Sequence, residues 1–370
     1  MGAKRNYSTL VGMLCSFILC VSVPAYADVE ANPKLKKSLS AFPILMYHTN
    51  IGVGYGGKAK FVNYFSKKES LDFIVFNSSK GERWYVFTFS VPDFEIRQGK
   101  VYPLSFDLRA EYNKFLKYSF YGVGADSRKE NETVFVYAKK ELRLTLGRGF
   151  SPRFVTEASY VLRSHSHLNI PEGKPFAEIL KEEGEQFSPF VSIVLRYDTS
   201  DSQIHPRKGI RLLFQNDWAA KILGSNDASY YRWTLEMRKY LLLLGERDVL
   251  AFRVRAQSLT GSRIPLFELA SLGGGTDTNA MRGYPVNRFL DKGKLLVNAE
   301  YRFPVWRKLG GNVFLEGGCV WPSLKKVDLG ASVYDLGWGL RYHLENFVVR
   351  FDMGFSKEGT GVYFNFGHIF

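Results

Sequence analysis

The feature that most constrains the fold of this chain is a repeated alternation of apolar and polar side chains. In residues 248–257, Leu250 and Phe252 alternate with Arg253 and Arg255. Because successive side chains of a β-strand point to opposite faces, the pattern predicts strands with one apolar and one charged face. The same alternation recurs in residues 191–198 and 347–353. Such strands suit a barrel with a wet inner wall and a lipid-facing outer wall.

Segments of this kind set the expected number of strands. We count about 15, and the short run 44–48 adds one more. Besides the three above, they begin near Ile51, Ser70, Arg83, Lys100, Thr133, Arg153, Ile210, Tyr230, Leu295, Asn312, Tyr334 and Thr360. Because bacterial barrels favour even strand numbers, the predicted fold class is all-β, a transmembrane antiparallel β-barrel of 16 strands. A soluble β-sandwich or propeller is the alternative, but its buried face should not repeat Arg, Asp and Glu.

The first residues predict export from the cytoplasm. Lys4 and Arg5 precede the apolar run 10–23, and residues 25–27 form the small-x-small motif of a signal peptidase site. The run is shorter than the roughly 20 residues that a membrane-spanning helix needs. We therefore expect a signal peptide at 1–27, a short polar leader at 28–41 and the barrel at 42–370.

Charge and cysteine content narrow the class further. The formal net charge is +14, and removal of Lys4 and Arg5 lowers it to +12. Nucleic-acid binding requires clustered basic residues in a recognisable module, whereas these are spread along the alternating segments. We expect a basic lumen and no nucleic-acid partner. Cys15 and Cys20 leave with the signal peptide, so Cys319 remains alone, and its apolar surroundings predict a packing role.

The most informative segment is a long loop between two predicted strands. It contains three consecutive glycines, Gly273, Gly274 and Gly275, and later Met281-Arg282-Gly283-Tyr284. A structureless loop of about 30 residues usually has a function. Consecutive glycines allow backbone turns that other residues cannot make. Arg282 is therefore placed to reach a partner from this loop.

The loop resembles that of the BamA/TamA superfamily of outer-membrane barrels, also called bacterial surface antigens. In that family a glycine cluster is followed by a [VIM]-R-G-[FY] motif. Other segments similar to the family occur in its order, and they are FYGVG at 120–124, YDTSD at 197–201, NAEYRFP at 298–304, GWGLRY at 337–342 and VRFD at 349–352. The resemblance implies that the loop folds back into the lumen.

The resemblance also implies a partner for the loop arginine. The acidic residue of the family's F-x-D-x-G segment corresponds to Glu316 here, with Glu in place of Asp. Glu300 is a second candidate. A charge-assisted, bidentate pair in a confined lumen would hold the loop firmly, whereas the alternative is that Arg282 is a solvated loop charge. The expected loop lock consists of Arg282, Gly283, Tyr284, Glu300, Glu316 and Gly318.

Two further features concern the first and last strands. Phe364, Phe366 and Phe370 fall on one face of the last strand and resemble the terminal signal that barrel-assembly machinery recognises, although Gly367 and His368 depart from its spacing. The first strand region contains Gly52, Gly54, Gly56 and Gly57. Because glycines weaken strand pairing, they indicate, beside the resemblance, a loose seam between first and last strands. The alternative is that they ease curvature.

Patterns of enzymes and metal sites are weak in this sequence. The glycines at 52–57 lack the strand–turn–helix setting of a dinucleotide loop. His165 and His167 share a strand face, but no third ligand is evident beside them. We therefore expect no catalytic residue, no metal and no cofactor.

Three functions remain open at this stage. The assembly and translocation members of the family carry periplasmic polypeptide-transport-associated domains before the barrel, and residues 28–41 are too few for one. We expect a short form located in a Gram-negative outer membrane, which contacts lipids and lipopolysaccharide, is inserted by the barrel-assembly machinery and uses a separate periplasmic partner. It would insert or translocate outer-membrane proteins or lipids, act as a passive or gated anion-favouring pore, or serve as a structural surface antigen.

Overall fold

The computed structural model describes residues 36–48, 51–225, 228–243, 245, 247–344 and 348–370. The predicted signal peptide and most of the predicted leader therefore lie outside the described residues. Two short α-helices are α1, Phe94–Arg97, and α2, Ala177–Glu183. Neither of these described helices has the length and hydropathy needed to cross a bilayer.

Strands account for most of the described chain. In order they are β1 Ser38–His48, β2 Gly52–Val62, β3 Ser70–Ser78, β4 Arg83–Val91, β5 Tyr102–Phe120, β6 Thr133–Gly149, β7 Phe154–Leu168, β8 Gln186–Phe187, β9 Phe190–Asp198, β10 Gly209–Ala219, β11 Ser229–Leu242, β12 Val249–Arg263, β13 Ala270–Leu272, β14 Phe289–Asp291, β15 Gly293–Trp306, β16 Leu309–Trp321, β17 Val333–His343, β18 Val348–Ser356 and β19 Gly359–Phe366.

The strands form one antiparallel series in chain order. The large sheet has 17 strands, and one of them, the two-residue β8, is only a side addition to β7. The other sixteen pair successively from β1–β2 to β18–β19, with β12 next to β15 because β13 and β14 form a separate hairpin. The number of strands in the closed barrel, predicted as 16, stays a prediction. Within the described residues, no ladder joins β1 to β19.

Contacts across the lumen show that the series curls into a barrel. Arg163 on β7 lies 3.0 Å from the Glu268 carboxylate in the connection between β12 and β13. The Lys129 ammonium, between β5 and β6, donates to the main-chain oxygen of Glu358, between β18 and β19, at 2.6 Å. Strands so far apart in the series can meet only if the sheet curls round an interior.

The predicted alternation matches the two faces of the barrel wall. On β12, Arg253 is fully buried while Phe252 is exposed; on β17, Asp335 and Arg341 are buried while Leu336 is exposed. A soluble sandwich would place its apolar side chains in the core. Charged residues inside and apolar residues outside therefore exclude that alternative and fit a lipid-facing wall.

The two ends of the barrel differ in the length of their connections. Short connections such as 150–153 and 307–308 lie at one end, the short-turn rim, and longer ones such as 121–132 and 169–189 lie at the other, the long-loop rim. Residues 264–292, the lumenal loop, start from the long-loop rim. There an apolar cluster joins α2 to this loop and to β5 and β6 through Phe120, Phe135, Tyr137, Leu180, Leu266 and Leu290.

Two predicted boundaries differ from the structure. The barrel begins at Ser38, not at residue 42, because residues 38–41 contain only one large apolar side chain, Leu39, and give little apolar signal. The glycines assigned to the first strand region lie on β2, where Gly54, Gly56 and Gly57 pair with residues 46, 44 and 43 of β1. The sequence indicated only residues 44–48 of β1, because residues 41–47 are apolar without alternation. A Cβ at Gly56 would overlap the Val75 carbonyl of β3, so this glycine permits close strand approach.

Candidate functional site: the buried arginine of the lumenal loop

The lumenal loop reverses direction at two glycines. Gly273 and Gly274 have φ angles of +118° and +92°, a region that residues with a Cβ rarely adopt. The Gly274 N–H then donates to the Met281 carbonyl at 3.1 Å, while β13 and β14 pair on either side of the reversal. This narrow loop brings residue 282 against the inner wall.

Arg282 is completely buried among carboxylates. Its Nη2 lies 2.7 Å from Glu300 Oε1 and 2.8 Å from Glu316 Oε1, and its Nη1 lies 3.2 Å from Asp352 Oδ2. The Arg282 main-chain N–H also donates to Glu316 Oε2 at 2.6 Å. Glu316 therefore fixes both the guanidinium and the backbone of the loop.

The period of the strands explains why these groups converge. Glu300 on β15, Glu316 on β16 and Asp352 on β18 all point inward and are fully buried. Phe314, two residues before Glu316, shares its face. The centre of the Phe314 ring lies 3.4 Å from Arg282 Cζ, which adds a cation–π contact to the ion pairs.

Three more arginines share these carboxylates. Arg302 Nε lies 2.9 Å from Glu300 Oε2, Arg341 Nη1 lies 2.7 Å from Asp352 Oδ1, and Arg350 Nε lies 3.4 Å from Asp352 Oδ2. With Asp335, this group contains equal numbers of cationic and acidic side chains. We call it the Arg282 cluster, and it consists of Arg282, Arg302, Arg341, Arg350, Glu300, Glu316, Asp335 and Asp352.

The cluster keeps the loop arginine charged. Burial alone would lower the pKa of Arg282, but Glu316, Glu300 and Asp352 outweigh burial and raise that pKa above its usual range. Removal of one partner from a buried ion network leaves the others uncompensated, which costs about 3–5 kcal/mol. The arrangement therefore specifies one position of the loop against the wall.

The next two loop residues fit closely against β17 and β18. The Gly283 N–H donates to Asp335 Oδ2 at 3.0 Å. A Cβ at Gly283 would approach the main-chain carbon of Phe355 to 2.7 Å, so a larger residue does not fit. The Tyr284 hydroxyl donates to the Tyr334 carbonyl at 3.3 Å, and burial raises the pKa of Tyr284 to about 12. That hydroxyl therefore remains a donor at neutral pH.

Comparison with known proteins identifies the family. Residues 70–370 match the Omp85 superfamily domain. The chain belongs to the Omp85 superfamily. This is a family of Gram-negative outer-membrane β-barrels concerned with insertion and translocation, and its members work with assembly or transport partners. No curated protein matches the sequence.

Solved Omp85-type structures share the fold at low sequence identity. The crystal structure of BamA from Haemophilus ducreyi lacking POTRA domains 1-3 superposes with a TM-score of 0.64 and 13% identity, over 95% of this chain and 74% of that one. CdiB from Escherichia coli superposes with a TM-score of 0.59 and 12% identity, over 95% of this chain and 66% of that one. CdiB from Acinetobacter baumannii superposes with a TM-score of 0.55 and 13% identity, over 95% of this chain and 65% of that one. This chain therefore spans about two thirds of each CdiB chain.

Gly275 of the glycine cluster and Gly318 of the predicted lock contact different parts of the loop in this Omp85 barrel. The Gly275 carbonyl accepts from Arg350 Nη2 at 3.1 Å, which ties the glycine cluster to the Arg282 cluster. Gly318 instead lies beneath the loop hairpin, where a Cβ would approach Leu272 Cδ1 to 2.9 Å. Gly318 therefore makes room for the loop beside the lock.

Several residues of the site were missed from the sequence. Asp335 and Asp352 contact the loop, and Gly354 and Gly361 leave space for it, because a Cβ at either would overlap the Arg282 main chain. Tyr363 OH donates to the Tyr284 carbonyl at 3.3 Å. The sequence did contain one signal for this part of the site, because Asp352 and Arg341 are charged residues on predicted inner faces of family-like segments.

The predicted terminal signal is only partly on one face. Phe364 points outward and is exposed, whereas the Phe366 side chain lies outside the described residues. Phe370 does not share that face. The chain turns at Gly367, φ +79°, and Phe370 enters the lumen, where it is 3% exposed beneath the guanidinium groups of Arg253 and Arg302. The prediction that Phe370 shares the face of Phe364 is wrong because β19 ends at Phe366, whereas its role in a terminal signal stays a prediction.

The histidine pair noted from the sequence has separate partners. His165 Nδ1 lies 2.7 Å from the Tyr137 hydroxyl, and its Nε2 lies 3.2 Å from Glu268 Oε1. His167 Nδ1 lies 2.9 Å from the Gly184 carbonyl. The two rings therefore help to attach the lumenal loop and α2 to β7.

A polar cavity of about 560 Å³ opens below the tip of the lumenal loop. Gly99, Pro152 and Ser200 from short-turn-rim connections line it, together with Asp277 at the loop tip. Its charged lining includes Arg97, Arg153, Arg196, Arg211, Glu157 and Glu236. The lumen is thus polar and accessible at the short-turn rim and filled by the loop above it.

Proposed function

We propose that this Omp85 barrel assists the insertion or passage of outer-membrane proteins or lipids, with the lumenal loop as its conformational control. The single observation that carries the proposal is the burial of Arg282 against Glu300, Glu316 and Asp352. A purely structural plug could be packed with apolar residues at lower free energy, since burying ion pairs has a desolvation penalty. A buried network instead specifies one loop position that can be released as a unit.

The cavity at the short-turn rim and the apolar cluster at the long-loop rim support entry of substrate from the periplasm. Outer-membrane barrels have short periplasmic turns and longer extracellular loops, so we assign the short-turn rim to the periplasm. The polar cavity with Arg153 and Asp277 then faces the periplasm, and the apolar cluster around Leu180 covers the outer end. A substrate from the periplasm would meet the loop tip first.

The proposed role also sets the expected surroundings of the barrel. Its apolar outer wall would contact lipids and lipopolysaccharide. We expect the barrel-assembly machinery to insert it and a separate periplasmic protein to deliver substrate. Cross-linking from the turn 199–208, followed by mass spectrometry, would identify such a protein.

A gated anion-favouring pore is the second candidate. The cavity lining contains five arginines and four acidic residues, and this small excess of positive charge favours anions. The loop that fills the lumen requires such a pore to be gated. A structural surface antigen without transport would need neither the cavity nor the buried network.

Depletion in the bacterium that encodes this chain tests the proposal. We expect other β-barrel proteins or surface lipopolysaccharide to fall in isolated outer membranes, measured by quantitative mass spectrometry, before growth stops. Wild-type protein and the control Arg128→Ala, an exposed loop arginine, should restore them, and Arg282→Ala should not. Unchanged membrane composition would reject the proposal, and steady anion-selective conductance of the purified barrel would then favour the pore.

A further inference from the structure

Three of the six histidines of the chain meet at the short-turn rim. His205 lies in the connection between β9 and β10, His343 is the last residue of β17, and His368 follows β19. Their ring centroids are 5.1, 5.9 and 5.8 Å apart, close to an equilateral triangle. One nitrogen from each ring lies within 4.8 Å of the other two. We call these residues the rim histidines.

We propose that the rim histidines form a site for a divalent transition-metal ion, with Zn²⁺ as the best fit. Neutral imidazole is a preferred ligand of zinc, copper and nickel, and three histidines with one open position are a known zinc arrangement. Bond lengths of 2.0–2.1 Å in a tetrahedron place ligand nitrogens about 3.4 Å apart. The His205 and His343 Nδ1 atoms are already 3.3 Å apart.

The surroundings of His205 orient a lone pair toward this point. Its Nε2 lies 3.2 Å from the Leu344 carbonyl, which can only accept a hydrogen bond. Nε2 therefore carries the ring proton, and Nδ1 is left unprotonated. A backbone carbonyl that fixes the tautomer of a metal-binding histidine is the usual outer-shell arrangement. The Ser202 hydroxyl oxygen also accepts the His205 main-chain N–H at 3.0 Å, which orders the turn.

The third ring supplies an unsatisfied nitrogen. His368 Nδ1 is buried and has no hydrogen-bond partner among the residues that the structure describes. A buried polar atom without a partner is unfavourable unless a ligand completes it. A metal ion bound at the rim would complete this nitrogen.

The arginines near the rim histidines are themselves paired with carboxylates. Arg302 pairs with Glu300 at 2.9 Å and Arg341 with Asp352 at 2.7 Å, so their charges are compensated inside the Arg282 cluster. Binding would shorten the nitrogen separations, at most 4.8 Å, by about 1.4 Å at most. Because His205 Nδ1 carries no proton, the hydrogen bond between the two Nδ1 atoms requires a proton on His343 Nδ1, and metal binding there would require this proton to move to Nε2.

A metal ion here would join three distant parts of the barrel. It would connect the turn between β9 and β10 to the end of β17 and to the tail 367–370. Sequence inspection found no such site because the three positions share no ligand motif and are far apart in the chain. The expected consequence is a metal-dependent attachment of the tail at the periplasmic mouth.

The experiment uses the full-length barrel, purified without a polyhistidine tag and stripped with chelator. After dialysis against Zn²⁺, we expect one equivalent of bound zinc by elemental mass spectrometry. Co²⁺ should give the visible absorption of a tetrahedral site. His205→Ala should weaken binding by roughly a hundredfold or more, since even outer-shell changes cost 10–100-fold.

The matched control is His165→Ala, which removes a histidine outside the rim. His205 lies in a turn, so we expect His205→Ala to fold. Its folding can be checked by the heat-dependent mobility shift of the barrel on gels. Zn²⁺ should raise the unfolding temperature of the wild type and of His165→Ala, but not of folded His205→Ala. Zinc below one-tenth equivalent in the wild type, or equal loss in His165→Ala, would overturn the proposal.

Discussion

Arg282 lies where water is excluded, so the effect of its replacement depends on the carboxylates left behind. Arg282→Ala would leave Glu300, Glu316 and Asp352 without a shared cation. We expect it to lower the free energy of unfolding by about 3–5 kcal/mol. The measurement is denaturant unfolding in detergent micelles. Arg128→Ala should change the value by less than about 0.5 kcal/mol, and equal effects would show that the buried network does not hold the loop.

Gly354 tests packing independently of charge. A Cβ there would overlap the main chain of Arg282, whereas a Cβ at Gly57 would only reach ordinary contact with the Phe42 carbonyl at 3.4 Å. We expect Gly354→Ala to destabilise the barrel by about 1–3 kcal/mol, as other overpacked sites do. Gly57→Ala should have little effect in the same unfolding assay. A neutral Gly354→Ala would mean that the loop can withdraw from β18.

The lumenal loop has a second attachment to the barrel wall at Glu268. The Glu268 carboxylate lies 3.0 Å from Arg163 and 2.8 Å from Arg232. Burial alone would raise the pKa of Glu268, but these guanidiniums outweigh it and hold the pKa well below its usual range. Stability from such a group is present above the unfolded pKa, about 4.3, and is lost as pH falls through the folded pKa.

Glu268→Gln should therefore show its effect only at higher pH. We expect the wild type to exceed the variant in unfolding free energy at pH 7 and the difference to shrink below about pH 4. The measurement is a series of denaturant titrations between these pH values. Glu178→Gln, an exposed position on α2, provides the control. A difference that grows on acidification would contradict the assignment of Glu268 as an ionised partner.

At the level of elements, the strands were predictable because their signal is local. The alternation around Arg253 needs only neighbouring residues, and it is sufficient to assign both faces of β12. β1 was harder, because Pro43 and the apolar residues around it show no period of two. The inward turn of the tail at Gly367 was not predictable, since it depends on the space that Phe370 finds in the lumen.

At the level of the whole molecule, the site was only partly predictable. Arg282 and Glu316 were found through a family motif, because the motif keeps both within short segments. The local sequence indicates that Asp352 points inward, but it joins Arg282 and Glu316 only once β18 lies beside the loop. The rim histidines depend entirely on the curvature of the sheet, which brings the turn containing His205 to the end of β17.

The whole barrel should conduct little current until its loop is released. The lumenal loop fills the interior, and the cavity below it is lined by arginines such as Arg153 and Arg196. In planar bilayers we expect rare, small openings for the wild type and larger, more frequent ones for Arg282→Ala. The reversal potential in a KCl gradient should indicate a preference for chloride. Identical traces for the two proteins would show that the loop is no barrier to ions.

The inward tail has a consequence for the order of events during assembly. Phe370 in the finished barrel is covered by Arg253 and Arg302. A factor that recognises Phe370 can therefore do so only before this residue enters the lumen. The recognition signal would be accessible on the unfolded polypeptide and buried in the completed barrel. A folded barrel would therefore no longer compete with newly made chains for the machinery that inserts them.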